Sequence, residues 1–143
     1  MTTAVNANWR LSSGTAAVLG LLEIRMQVAP TTAYIMLGER CLRNCAYCAQ
    51  AHGSTASEAF LSRVTWPLFS VQAIARALAD AAQTKAIRRV CLQVTRSRES
   101  FTRTLEAVRV LRRYTFLPIC CSTVLEDMRE IAILLEAGAD RVT

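Results

Sequence analysis

The sequence predicts an α/β fold built on a parallel sheet, and three observations predict it. Strand-like and helix-like segments alternate along most of the chain. The connections between them are short, and no linker or internal repeat divides the chain. The 143 residues are 52% hydrophobic and 20% charged, with 5 Gly and 3 Pro, so one core can be buried without help from disulfides. Parallel strands joined through helices take right-handed crossovers.

Each element follows from its local pattern. Residues 1–14 read as a polar, flexible N-terminus, with the folded domain over 15–143. Ser12-Ser13-Gly14-Thr15 punctuates the start of an apolar helix over Ala16–Gln27, which Pro30 ends. Thr32–Leu37 is a short β-prone run closed by Gly38. A loop with three cysteines follows and continues through Gly53–Ser57 to Trp66-Pro67. Val71, Ile74, Ala75, Leu78, Ala81 and Ala82 recur at helical spacing, so Ser70–Lys85 is a helix with Ser70 as N-cap. Arg89–Thr95 is a compact, buried type of strand. Phe101, Leu105, Val108 and Leu111 mark the next helix, with Arg103, Arg109, Arg112 and Arg113 mostly on its outer face. Leu117–Val124 is a strand, and Glu126–Ala137 a helix with Met128, Ile131, Leu134 and Leu135 inward. Gly138 supplies a left-handed C-terminal residue, and Asp140–Thr143 begins another strand.

The net charge is +6, from 17 Lys+Arg against 11 Asp+Glu, and Lys85 is the sole lysine. Such a surface suits solubility or an anionic partner. Aromatic residues are only 6% of the chain and interleave with no basic run, which points away from nucleic acid. The apolar stretch Ala16–Leu22 lacks a basic lead and runs into Glu23 and Arg25, so it is no export signal. No stretch reaches membrane-spanning length, and a cytoplasmic location is expected. In that reducing setting, clustered cysteines point to metal or redox chemistry.

The six cysteines are Cys41, Cys45, Cys48, Cys91, Cys120 and Cys121. The first three read C-x3-C-x2-C directly after a strand. Three neighbouring thiolates hold a soft metal or an iron–sulfur cluster, and three ligands on a four-iron cluster leave one iron open for chemistry. A Cys3His zinc site with His52, the only histidine, is the structural alternative; it makes the chain a non-catalytic, zinc- or cluster-stabilised binding module.

The motif Cys41-x3-Cys45-x2-Cys48, with aromatic Tyr47 before the last cysteine, resembles the signature of the radical S-adenosylmethionine (SAM) superfamily. The resemblance implies that Cys41, Cys45 and Cys48 ligate a [4Fe–4S] cluster, that SAM chelates the fourth iron, and that Tyr47 lies by the adenine. It implies a full or partial (β/α) barrel with the loop after its first strand. Reduction of the cluster, by a ferredoxin or flavodoxin, would cleave SAM to a 5′-deoxyadenosyl radical that abstracts hydrogen from an unactivated carbon. Cys48-Ala49-Gln50 and Leu61-Ser62-Arg63-Val64-Thr65-Trp66-Pro67 are similar to the biotin synthase-like group, which includes biotin synthases and two-component lipoyl synthases. Both insert sulfur; the lipoyl type acts on an octanoyl chain carried by a lipoyl carrier domain.

Two further expectations come from that resemblance. Biotin synthases hold an auxiliary cluster whose ligands include a cysteine on the second strand and one on the third, where this chain has Cys91 and either Cys120 or Cys121. Small core residues are the equal alternative for these cysteines. The glycine-rich patch that usually receives SAM after the second strand is absent; Leu92-Gln93-Val94-Thr95-Arg96 stands there, and carbonyls from Gln93 to Thr95 are its candidates. Arg96 and Arg98 follow, to meet an anionic group or solvent. A complete barrel needs about 250 residues, so the chain is expected to be a partial barrel ending at about the fourth strand. That makes it an incomplete fragment or a subunit awaiting its complement, with cluster binding and weak or no turnover by itself.

Overall fold

A computed structural model describes residues 7–143. The elements are β1 (Asn8–Leu11), α1 (Ser13–Val18), β2 (Thr32–Leu37), β3 (Phe60–Leu61), β4 (Val64–Thr65) and β5 (Leu68–Ser70). They continue with α2 (Val71–Gln83), β6 (Arg89–Val94), α3 (Ser100–Arg112), β7 (Ile119–Ser122), α4 (Met128–Ala137) and β8 (Arg141–Val142). Six strands form one sheet in the order β5-β1-β2-β6-β7-β8. The run β2-β6-β7-β8 is parallel and strictly sequential, as the alternating pattern predicts. β1 pairs antiparallel with both β2 and β5, an edge the sequence pattern does not announce.

Strand periodicity divides the sheet into two unlike faces. Ala33, Ile35, Leu37, Val90, Leu92, Ile119 and Cys121 are buried on one face. They share a core with Val71, Ile74 and Leu78 of α2, Val108 and Leu111 of α3 and Leu134 of α4. The three long helices therefore cover a single face. The alternate residues Tyr34, Cys91, Gln93, Cys120 and Ser122 lie on the other face and keep solvent contact.

The N-terminal part differs most from expectation. Residues 1–6 lie outside the described residues; of the remainder of the expected flexible stretch, Asn8–Leu11 is a strand with Leu11 fully buried. β1 escapes sequence reading because Asn-Trp-Arg-Leu is too short to show its alternation. Ser12 caps α1, its Oγ accepting the Thr15 N–H at 3.3 Å. The expected helix over Ala16–Gln27 stops at Val18. Gly20, at φ +74°, reverses the chain, and the N–H groups of Gly20 and Leu21 donate to the carbonyls of Ala17 and Ala16. This pair of bonds satisfies the last helical carbonyls and terminates the helix.

Later elements follow the sequence more closely. Ser70 Oγ accepts the Ala73 N–H at 3.2 Å, the expected N-cap of α2. Gly138, at φ +119°, closes α4 as expected. The inward stripe of α4 is narrower than its sequence suggests: Leu134 is buried, whereas Met128 is 77% and Leu135 46% exposed. α4 packs on α3 at the end of the sheet, where one row of side chains suffices. Arg112 is not an outer-face residue either. Its guanidinium donates to the carbonyls of Gly138 (2.9 Å, from Nε) and Leu117 (2.6 Å) and pairs with Asp140 at 2.7 Å. Asp140 in turn accepts the Ile119 N–H at 2.8 Å, so one clasp joins α3, α4, β7 and β8. Arg112→Ala is expected to cost roughly 2–3 kcal/mol in urea denaturation, with Arg112→Lys recovering less than half because the bidentate fork is lost.

Candidate metal centre

The cysteine loop leaves the carboxyl end of β2, where open α/β sheets place their ligands. Gly38 begins it at φ +95°, and a Cβ there would collide with Thr95 Oγ1. Thr95 holds the neighbouring strand end by donating from both its N–H (3.1 Å) and Oγ1 (3.2 Å) to the Leu37 carbonyl. Glycine is thus required where the chain turns off β2 against β6.

The loop is tied by polar side chains that spacing alone does not single out. Arg40 donates to the carbonyls of Ala49 (3.0 Å), Ala51 and Ala56. Gln50, 3% exposed, donates its amide to the carbonyls of Glu58 (2.8 Å) and Phe60 (2.6 Å). Asn44 Oδ1 accepts the Gly53 N–H at 3.0 Å, and the Cys41 N–H reaches the Gln50 carbonyl at 3.0 Å. The only hint in the sequence is Gln50 itself, in the Cys48-Ala49-Gln50 step.

Leu61-Ser62-Arg63-Val64 forms a two-residue hairpin within what reads as continuous loop. Ser62 and Arg63 have φ of 52° and 63°, the backbone that such tight hairpins demand. Trp66, 4% exposed, locks the hairpin: its indole N–H donates to the Leu61 carbonyl at 2.9 Å, and its own carbonyl accepts from Arg10 at 2.9 Å.

Cys41 and Cys48 are half-buried and line one cavity of about 160 Å³ together with Met36, Gln50, Gln93 and Thr95. Cys41 Sγ accepts the Arg96 N–H at 3.1 Å. Cys45 and Tyr47 lie on the same loop but are exposed, Tyr47 by 93%. His52 is exposed too. Among the described residues, no three His, Cys, Asp or Glu side chains converge as they would around a bound metal. The donor chemistry nonetheless fits a soft metal or cluster: three thiols share one loop, two open on one cavity, and one accepts an N–H···S bond.

Gln93 and Thr95 both reach that cavity. The Thr95 carbonyl accepts the Ser100 hydroxyl at 3.1 Å, so part of its acceptor capacity is used internally. The Gln93 amide donates to Cys91 Sγ at 3.2 Å. Arg96 pairs with Glu126, and with exposed Arg98 it lines a separate cavity of about 230 Å³ beside Leu42 and Phe101. A larger, mainly apolar cavity of about 430 Å³ adjoins the cysteine cavity through Leu61 and Gln93, and is walled by Pro30, Tyr34, Val64 and Trp66.

The other cysteines divide by face. Cys91 and Cys120 are half-buried on the uncovered face, whereas Cys121 is fully buried in the core. Burial, and then the nearby Cys120 thiol, raise Cys91 above the ordinary thiol range. Burial, reinforced by the Cys120 and Cys91 thiols, pushes Cys121 from 9.0 up to about 12. Comparison with protein-family models, with curated proteins and with solved structures returns no match. No helix among the described residues is long and apolar enough to cross a membrane.

Two outcomes are expected from this geometry. Gln50→Ala removes both amide bonds and loosens the loop by about 1–3 kcal/mol, seen as faster amide hydrogen exchange over residues 41–61; unchanged exchange would discount the tie. Folding favours the neutral Cys121 thiol, so its contribution is complete below pH 9 and is lost as pH rises toward 12. Urea denaturation across that range should show a shallower alkaline loss of stability in Cys121→Ala than in the parent.

Proposed function

We propose that this chain carries the cluster-binding part of a radical SAM enzyme of the sulfur-inserting, biotin- or lipoyl-synthase type. The observation that carries the reading is the placement of Cys41 and Cys48 in one cavity at the carboxyl ends of β2 and β6, beside Gln93 and Thr95. The sequential parallel strands, with their long helices on one face, support a fold organised as part of a (β/α) barrel. The neighbouring apolar cavity suits a substrate whose reacting carbon is unactivated.

In this reading Cys41, Cys45 and Cys48 hold a [4Fe–4S] cluster. A cluster held there would supply, with SAM bound, the one-electron reductive cleavage that such enzymes use. The chain's own residues position and shield. The Arg96 N–H donates to Cys41 Sγ and so withdraws charge from that ligand. Arg40 and Gln50 hold the loop against the sheet. Tyr47 would supply an aromatic face for adenine, and acceptor groups of Gln93 and Thr95, which line the cysteine cavity, would receive the methionine amino group. Leu61, Val64 and Trp66 give the neighbouring cavity an apolar wall, as a site that must limit water around a radical needs. The reductant is a ferredoxin or flavodoxin, and a lipoyl carrier is the partner for the lipoyl type.

Anaerobic reconstitution with iron and sulfide tests the reading. The full chain should turn brown, with broad visible thiolate-to-iron absorption and about four irons per chain. Cys45→Ala should lose most of both. A colourless protein that instead retains one zinc per chain overturns the assignment. Dethiobiotin and an octanoylated carrier peptide, assayed for incorporated sulfur, separate the two substrate types.

A further inference from the structure

The β6–β7 ladder places Cys91 directly opposite Cys120. Neighbouring strands lie roughly 4.8 Å apart, within the Cα separation of about 4.4–6.8 Å that a disulfide spans. Both side chains lie on the face that the long helices leave uncovered, and both keep solvent contact. The Cys120 thiol is near enough to add to the effect of burial in raising Cys91 above the ordinary thiol range. The same register puts Cys121 opposite Leu92 on the buried face, so Cys121 cannot take the place of Cys120.

Cys120 also opens on a cavity of about 230 Å³ that Arg89, Arg141, Asp140 and Pro118 line. Asp140 is already engaged by Arg112 and the Ile119 N–H, so its charge is largely answered. Neither Arg89 nor Arg141 has an ion-pair partner among the described residues. An anionic molecule is therefore drawn to the mouth of the dithiol.

We infer that Cys91 and Cys120 form a redox-active dithiol, oxidised to an inter-strand disulfide by an anionic low-molecular-weight disulfide entering beside Arg89 and Arg141. One protein thiolate attacks the small disulfide, forms a mixed disulfide and expels one small thiolate. The second protein thiolate then attacks the protein sulfur of that mixed disulfide and expels the other small thiolate. Two electrons pass from the protein sulfurs to the small disulfide. The two protein protons end on two small thiols, so atoms and charge balance. The Gln93 amide, donating to Cys91 Sγ, stabilises that sulfur as it ionises.

The test uses the full chain, treated anaerobically with oxidised glutathione and quenched by alkylation. Non-reducing peptide mapping should show residues 90–96 joined to the peptide that contains Cys120 and Cys121, with loss of two hydrogens. The link should persist in Cys121→Ser and vanish in Cys91→Ser and in Cys120→Ser, with circular dichroism reporting their fold. A link that survives Cys120→Ser, or glutathione adducts that never close, overturns the proposal. A double variant, Arg89→Gln with Arg141→Gln, should slow closure by oxidised glutathione several-fold and leave closure by uncharged hydroxyethyl disulfide unchanged. Equal rates with oxidised glutathione in parent and double variant overturn the arginine-guided entry. None of these readouts needs a cluster on Cys41, Cys45 and Cys48, so failure here is separable from failure of the enzyme reading.

Discussion

The parallel pairing of β2 with β6, in register from Thr32 opposite Arg89 to Leu37 opposite Val94, is the constraint on which the rest of the molecule depends. A parallel ladder fixes which ends of the strands come together. It thereby sets the cysteine loop, which leaves β2, beside the Gln93–Thr95 stretch that leaves β6. The bonds from Thr95 to the Leu37 carbonyl and from the Arg96 N–H to Cys41 Sγ are direct consequences of that register. Slipping β6 by one residue against β2 would turn Leu92 out of the core and bring Cys91 into it.

One-sided burial follows from the same ladder. The core takes alternate residues of each central strand, and α2, α3 and α4 cover them. The remaining residues are freed from the demand for apolar character, and this is where the polar and sulfur-bearing side chains collect. Gln93 links the two regions of interest, since its amide bonds Cys91 while its side chain borders both the cysteine cavity and the apolar one. The antiparallel strands β1 and β5 extend the sheet on the side away from β7 and β8. The adjoining β3–β4 hairpin, pinned by Trp66, forms a wall of the apolar cavity.

Polar ties within the cysteine loop substitute for regular secondary structure. A long connection exposes many backbone carbonyls, and those turned inward need donors. Arg40 and Gln50 provide the donors, aimed at carbonyls eight to sixteen residues onward. The loop is therefore shaped before any ligand arrives, although Cys45 and Tyr47 remain at its exposed rim.

Local chemistry made much of this legible in the sequence. The caps at Ser70 and Gly138, the core stripe of α2 and the succession of β2, β6, β7 and β8 depend on side chains within a few residues of one another. So does the three-cysteine motif, because its spacing is covalent. What the sequence could not decide depends on partners far along the chain. Asn8–Leu11 is a strand because β2 and β5 offer it hydrogen bonds. Met128 and Leu135 stay exposed because α4 packs chiefly on α3, which covers one row of its side chains. Arg112 bridges elements that its helical position does not foresee. Sequence periodicity puts only one of Cys120 and Cys121 inward without saying which; the structure buries Cys121, and the register of β6 against β7 sets Cys91 opposite Cys120. Register is a property of two strands together, settled by which pairing buries the most apolar surface, and neither strand carries it alone.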